Sequence, residues 1–141
     1  MGCDIHLHTE VKINGKWHHY GYPNIRRNYN LFAMLAGVRN YDDIEPIAQP
    51  RGLPVDATEL TKLDCEHWDA DGHSHSWIGS SEILRVCEYM NEIAKPERAW
   101  MNWEDETIGS LFGNTWRGFE KCPEYRPNGL QDIRWVFWFD N

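Results

Sequence analysis

Cys3-Asp4-Ile5-His6-Leu7-His8-Thr9-Glu10-Val11-Lys12-Ile13-Asn14-Gly15-Lys16-Trp17-His18-His19-Tyr20-Gly21-Tyr22 is the stretch on which the fold turns. From Cys3 to Ile13 it alternates. Cys3, Ile5, Leu7, Thr9, Val11 and Ile13 fall on one face, and Asp4, His6, His8, Glu10 and Lys12 on the other. A period of two is the pattern of a β-strand. Asn14-Gly15 follows, a pair that tolerates the positive φ angles of a two-residue type I′ turn. A return strand is therefore expected over 16–22. That turn sets Lys12 opposite Trp17, Glu10 opposite His19 and His8 opposite Gly21. Cross-strand partners share a face. The polar face thus gathers Asp4, His6, His8, Glu10 and His19 beside Trp17, with His18 and Tyr20 on the other side.

Working outward, Ile133–Phe139 is apolar on both faces, as expected of a central strand beside the hairpin. Asn30 is placed to cap a short helix, Leu31–Ala36, that Gly37 closes. Residues 38–55 read as irregular, broken by Pro46, Pro50 and Pro54. Asp56 with Glu59 approximates a capping box for a helix over 57–66. The acidic, histidine-rich run 64–77 reads as a loop. Ser80 or Ser81 opens a helix over 81–94, with Ile83, Leu84, Val86, Cys87, Met90 and Ile93 in one stripe and Pro96 beyond. A further short helix is expected over 104–112. The fold class is α+β. One domain spans 1–141, with a small antiparallel sheet (N-terminal hairpin plus C-terminal strand) and helices packed on one side.

The chain has 141 residues, 41% hydrophobic and 26% charged, which is globular composition. No apolar run approaches the roughly 18 residues of a membrane span. Asp4, His6 and His8 interrupt any apolar leader. A cytoplasmic protein with no membrane partner is expected. The net charge of −8, from 14 basic and 22 acidic residues, argues against binding a long nucleic acid backbone. It leaves room for a small phosphorylated ligand such as a nucleotide, and for a homo-oligomer. The 8 tryptophans suit core filling, with some left for stacking on a base or sugar. The 4 cysteines show no CxxC pair, so no disulfide framework is expected.

All 7 histidines lie in 6–19 and 67–75. Asp4-x-His6-x-His8 sets three ligand types on one strand face, roughly 6.6 Å apart. Asp71-x-His73-x-His75 repeats the spacing. If the second run folds over the first, Asp4, His6, His8, His73 and His75 would hold a divalent metal, zinc or manganese. Such a metal would lower the pKa of a bound water and polarise a phosphoryl oxygen. His19 and Asp71 would then handle proton transfer. Arg39 and Arg51 suit phosphate, Arg51 within the stiff Pro50-Arg51-Gly52-Leu53-Pro54, and Trp77 would touch the ligand. The plainer alternatives are a solvated sheet face, a loop shaped by local hydrogen bonds, and surface ion pairs.

Asp4-Ile5-His6-Leu7-His8-Thr9 resembles the opening metal motif of PHP phosphoesterases and amidohydrolases. Those families are much longer barrels, and the resemblance implies metal roles for His6 and His8 alone. Across much of its length the chain is similar to a family of small phage and prophage proteins. That likeness rests on Met1-Gly2-Cys3-Asp4-Ile5-His6, Arg27-Asn28-Tyr29-Asn30-Leu31-Phe32, Leu35-Ala36-Gly37-Val38-Arg39, Pro50-Arg51-Gly52-Leu53-Pro54 and His73-Ser74-His75-Ser76-Trp77. It brings no activity with it, but a phage setting implies host takeover or counter-defence in the host cytoplasm. The residues and resemblances together lead to the expectation of a metal-dependent hydrolase, a phosphodiesterase acting on a nucleotide or small phosphate ester. The alternative is a non-enzymatic sponge that sequesters a nucleotide immune signal of the host. A third reading is a protein–protein inhibitor with an acidic, Trp-rich face.

Overall fold

A computed structural model describes residues 2–93, 124 and 128–141. In chain order the elements are β1 (Asp4–Ile13), β2 (Lys16–Gly21), α1 (Tyr29–Ala36), α2 (Glu59–Trp68), a 3-10 turn (Asp69–Asp71), β3 (Gly72–Gly79), α3 (Ser80–Ile93) and β4 (Leu130–Asp140). The strands form one sheet in the order β2-β1-β4-β3. Every neighbouring pair is antiparallel. The architecture is α+β, as the alternation and the apolar C-terminal strand lead one to expect.

Asn14 and Gly15 make the hairpin turn at φ 50° and 81°. Lys12 faces Trp17 and Glu10 faces His19, as the turn length dictates. Beyond that pair the register shifts, so Gly21 lies opposite Thr9 and not His8. Such an irregularity re-aims the side chains that follow it. β4 lies beside β1 along its length, from Asp4 opposite Asp140 to Ile13 opposite Leu130. Trp135, Val136, Phe137, Trp138 and Phe139 are all fully buried. Each such side chain contributes about 1.5–3 kcal/mol by leaving water.

The two faces of the sheet are covered differently. Ile5, Leu7, Trp135, Phe137 and Phe139 pack in one core with Leu31, Phe32 and Leu35 of α1 and Ile83, Val86 and Met90 of α3. The expected placement of helices on one side holds for these two. α2 lies against the opposite face, where its Thr61 and Asp64 bond to Glu10 and His8 of β1. Its one buried residue is Thr61, so polar contacts rather than an apolar stripe hold it down. The middle of the polar face of β1 is therefore not solvated: His6, His8 and Glu10 are 7%, 4% and 0% exposed.

Other local expectations are corrected. Asn28, not Asn30, caps α1 by accepting from the Leu31 amide at 3.1 Å, while Gly37 closes it at φ 72°. α2 begins at Glu59 with Thr58 as N-cap, because Asp56 is drawn away to Arg134. The run 64–77, expected as a loop, instead ends α2, makes the 3-10 turn and enters β3. β3 is irregular: its register against β4 shifts between His73 and Ser76, and Ser74 has φ 56°. The helix expected over 104–112 lies outside the described residues. Among the described residues no helix is long and apolar enough to cross a membrane.

Candidate functional site

Between the sheet and α2 lie two chains of hydrogen bonds, each running from a carboxylate through a buried histidine to a more exposed end group. In the first, His8 Nε2 is 2.7 Å from Asp64 Oδ2 and His8 Nδ1 is 2.9 Å from His19 Nε2. In the second, His6 Nε2 is 3.1 Å from Asp140 Oδ1 and His6 Nδ1 is 3.0 Å from the Tyr22 hydroxyl. An ionised carboxylate only accepts, so each Nε2 carries the proton. A neutral His8 then accepts at Nδ1 from His19 Nε2–H, and a neutral His6 accepts at Nδ1 from the Tyr22 hydroxyl. Burial holds the His8 imidazole below its ordinary pKa, against the raising pull of Asp64, which favours the neutral ring. His19 Nδ1 is left as a lone-pair acceptor with no protein hydrogen bond among the described residues. This is the arrangement in which a carboxylate fixes an imidazole tautomer and steadies the charge it gains when a proton moves.

The rings also stack. The Tyr22 ring lies 4.5 Å from the His8 ring at 13°, and Trp138 lies 5.4 Å from His8 and 6.0 Å from His6. Trp68 closes over His6 at 4.1 Å. These contacts fix both imidazoles without using their nitrogens.

Below the relays sits a charged lock. Glu10 Oε2 accepts from the Thr58 amide at 2.8 Å, the Thr58 hydroxyl at 2.7 Å and the Thr61 hydroxyl at 2.8 Å. Glu10 Oε1 accepts from Arg134 Nε at 2.7 Å. Arg134 also donates to Asp56 and lies 3.9 Å over the Trp17 ring. Burial alone would raise the Glu10 pKa, but the bonds from Thr58, Thr61 and Arg134 outweigh it and hold the carboxyl below its usual range. The lock ties the start of α2 to β1 and β2. It thereby shapes a cleft of about 570 Å³ lined by Lys16, Trp17, His19, Thr58 and Lys62, among others. One relay thus ends in the cleft, at His19.

The residues singled out in sequence divide into those that meet here and those that do not. His6, His8, His19 and His75 share the α2 face, His75 stacking on Trp138 at 5.9 Å. His73 points to the other face, where it lies 3.3 Å from Asn141 Oδ1 and stacks on Phe139. The shift in β3 splits the Asp71-x-His73-x-His75 spacing across the sheet. Asp4 is exposed and bonded to Arg27 at 2.7 Å, and Asp71 is exposed in the 3-10 turn. Arg51 forms a two-pronged pair with Glu82 at 2.8 and 2.6 Å and lies over Trp77 at 4.8 Å. Arg39 contacts Tyr41, Asn141 and the Tyr29 ring. Neither arginine, nor Trp77, lines the cleft.

The five residues expected to hold a metal are not brought together. Asp4 and His73 are directed away, and all four ring nitrogens of His6 and His8 already have partners. Among the described residues no group of three or more His, Cys, Asp and Glu is arranged to hold a metal ion. Sequence reasoning missed Asp64, Asp140, Tyr22, Lys16 and Lys62. Asp140 was within reach, since pairing β4 with β1 brings its last carboxylate to the His6 end of the sheet.

No family model and no solved structure matches the chain. It is similar to the mRNA cleavage and polyadenylation factor CLP1 of Kluyveromyces lactis, 30% identical over 80 residues, covering 53% of this chain. The match spans only 18% of that protein's length.

Proposed function

We propose that the chain is a hydrolase of small phosphate esters of nucleotide size, working by acid–base chemistry in the cleft between β2 and α2. The observation that carries this reading is the Asp64–His8–His19 relay ending in that cleft. His19 is the group that exchanges a proton with the ester or with water, and His8 is the positioning residue that steadies the His19 charge. Lys16 and Lys62 supply positive charge for a phosphate, and Trp17 a flat surface for a base. A divalent metal is expected from the histidine spacing, but among the described residues no group of three ligands is arranged for one, and no step is assigned to it. The CLP1 match covers too little of that protein for its role to pass to this chain. The net charge of −8 leaves room for a small nucleotide held by local cations, and the cytoplasm of a phage-infected host suits the phage resemblance.

The test is hydrolysis of a nucleotide panel and of bis(p-nitrophenyl) phosphate by protein treated with EDTA. Turnover should survive the chelator and fall by about 10²–10⁴ in His19→Ala, the range a positioned acid–base group supplies. Recovery of every ester intact from wild-type protein would overturn the reading in favour of a nucleotide-sequestering protein. Turnover abolished by EDTA and restored by zinc or manganese would overturn the metal-free assignment.

A further inference from the structure

The second relay has no task in the account above, and it ends in a hydroxyl. Tyr22 is 52% exposed, yet its phenol oxygen reaches 3.0 Å into the buried His6, which Asp140 holds at 3.1 Å from the far nitrogen. Its position is constrained. Pro23 follows it and limits its backbone to extended conformations, and its ring is stacked on His8 at 4.5 Å. A nucleophile within hydrogen-bond reach of a base that a third group orients is the geometric mark of an activated hydroxyl. We propose that Tyr22 is a nucleophile, with His6 as its base and Asp140 as the group that orients His6. This inference rests on the acid–base hydrolase reading for its substrate class, a phosphate diester.

The step balances as follows. The Tyr22 oxygen bonds to phosphorus as the bond from phosphorus to the leaving alcohol breaks. The phenol proton passes to His6 Nδ1, and the alcohol leaves as its alkoxide. Water then attacks the phosphotyrosyl diester and loses a proton to His19 Nδ1, which passes it to the alkoxide. The phenolate departs and recovers its proton from His6. His8 sits between the two halves, stacked under Tyr22 and bonded to His19. Burial, with Asp64 and Asp140 nearby, keeps the Tyr22 phenol protonated above its ordinary range, so the oxygen needs a base to react.

Two measurements test this. In the first, acid-quenched reactions with bis(p-nitrophenyl) phosphate are digested and analysed by mass spectrometry. A nitrophenyl-phosphoryl group should appear on the Tyr22 peptide, should accumulate in His19→Ala, and should be missing in Tyr22→Phe. The second needs no turnover: labelling by an aryl sulfonyl fluoride, with exposed Tyr20 and Tyr41 as controls in the same chain. Tyr22 should react roughly 10²-fold faster than either, the low end of what a positioned base supplies. The advantage should vanish in His6→Asn and in the milder Asp140→Asn, whose folding is checked by circular dichroism. Equal labelling of all three tyrosines, or a Tyr22→Phe protein with wild-type turnover, would overturn the proposal. Selective labelling without any ester hydrolysis would support the activated phenol and overturn the hydrolase reading.

Discussion

Replacing Glu10 by Gln keeps the shape of the side chain and removes its charge from the centre of the lock. One oxygen of Glu10 takes three hydrogen bonds from Thr58 and Thr61, and the other takes Arg134. A glutamine has a single acceptor oxygen. Its amide must face either Arg134, which only donates, or the Thr58–Thr61 side, where it strands the Thr58 backbone N–H even if the hydroxyls turn to accept. Breaking one partner of a buried ion pair costs about 3–5 kcal/mol. Asp56 keeps a second hold on Arg134, at 2.9 Å, so the low end applies, about 3 kcal/mol. For a chain of this length that lowers Tm by roughly 10 °C. Urea unfolding at pH 7, followed by tryptophan fluorescence, measures it directly. Arg134→Met in the same protein should recover at least half the loss, because the stranded cation is then gone. An E10Q protein that unfolds within about 0.5 kcal/mol of its parent would refute the lock as described. It would also remove the reason for the cleft to hold its shape.

Acid should destabilise the fold earlier than carboxylate titration alone predicts. His8 and His75 both have folded pKa values held down by burial, so the unfolded chain binds protons first as pH drops below 6.5, their ordinary value. Tm should be flat above about pH 7.5 and fall between pH 7 and 5, and His8→Gln should flatten that slope; an unchanged slope would contradict the buried neutral ring. Glu10 acts in the same direction at lower pH: its contribution is present above 4.5, its ordinary value, and is lost as pH falls through the lower folded value. Gly129→Ala should cost about 1–2 kcal/mol in the same urea assay, since φ is +78° there and a Cβ would meet the Asn14 side chain of the hairpin turn.

The parts of the fold legible in the residues are those set by local periodicity. The hairpin follows from alternation and Asn14-Gly15, and β4 from an apolar run with no polar face. β3 was hidden because Gly72, His73, Ser74 and Ser76 are polar or small, and Ser74 breaks the alternation with a positive φ. α2 showed no apolar stripe because its partners on the sheet are a glutamate and a histidine. The site was half legible for a similar reason. His6 and His8 stand out by spacing, and so was the Glu10 to His19 register. Asp64 and Asp140 meet them from 56 and 134 positions away. No window along the chain contains that relation, because only the pairing of β4 with β1 and the packing of α2 on the sheet create it.

β4 joins two parts of the sheet that share no other strand contact, β1–β2 on one side and β3 on the other. During synthesis the ribosome therefore releases the hairpin, α1, α2 and β3 long before the strand that unites them. Until then the apolar flank of β1 lacks its neighbour, and the nascent chain is open to sticking. Contacts of such long sequence separation close slowly. Early expression at low temperature, or a holding chaperone, should raise the yield of folded protein more than any change to the purified molecule's solvent.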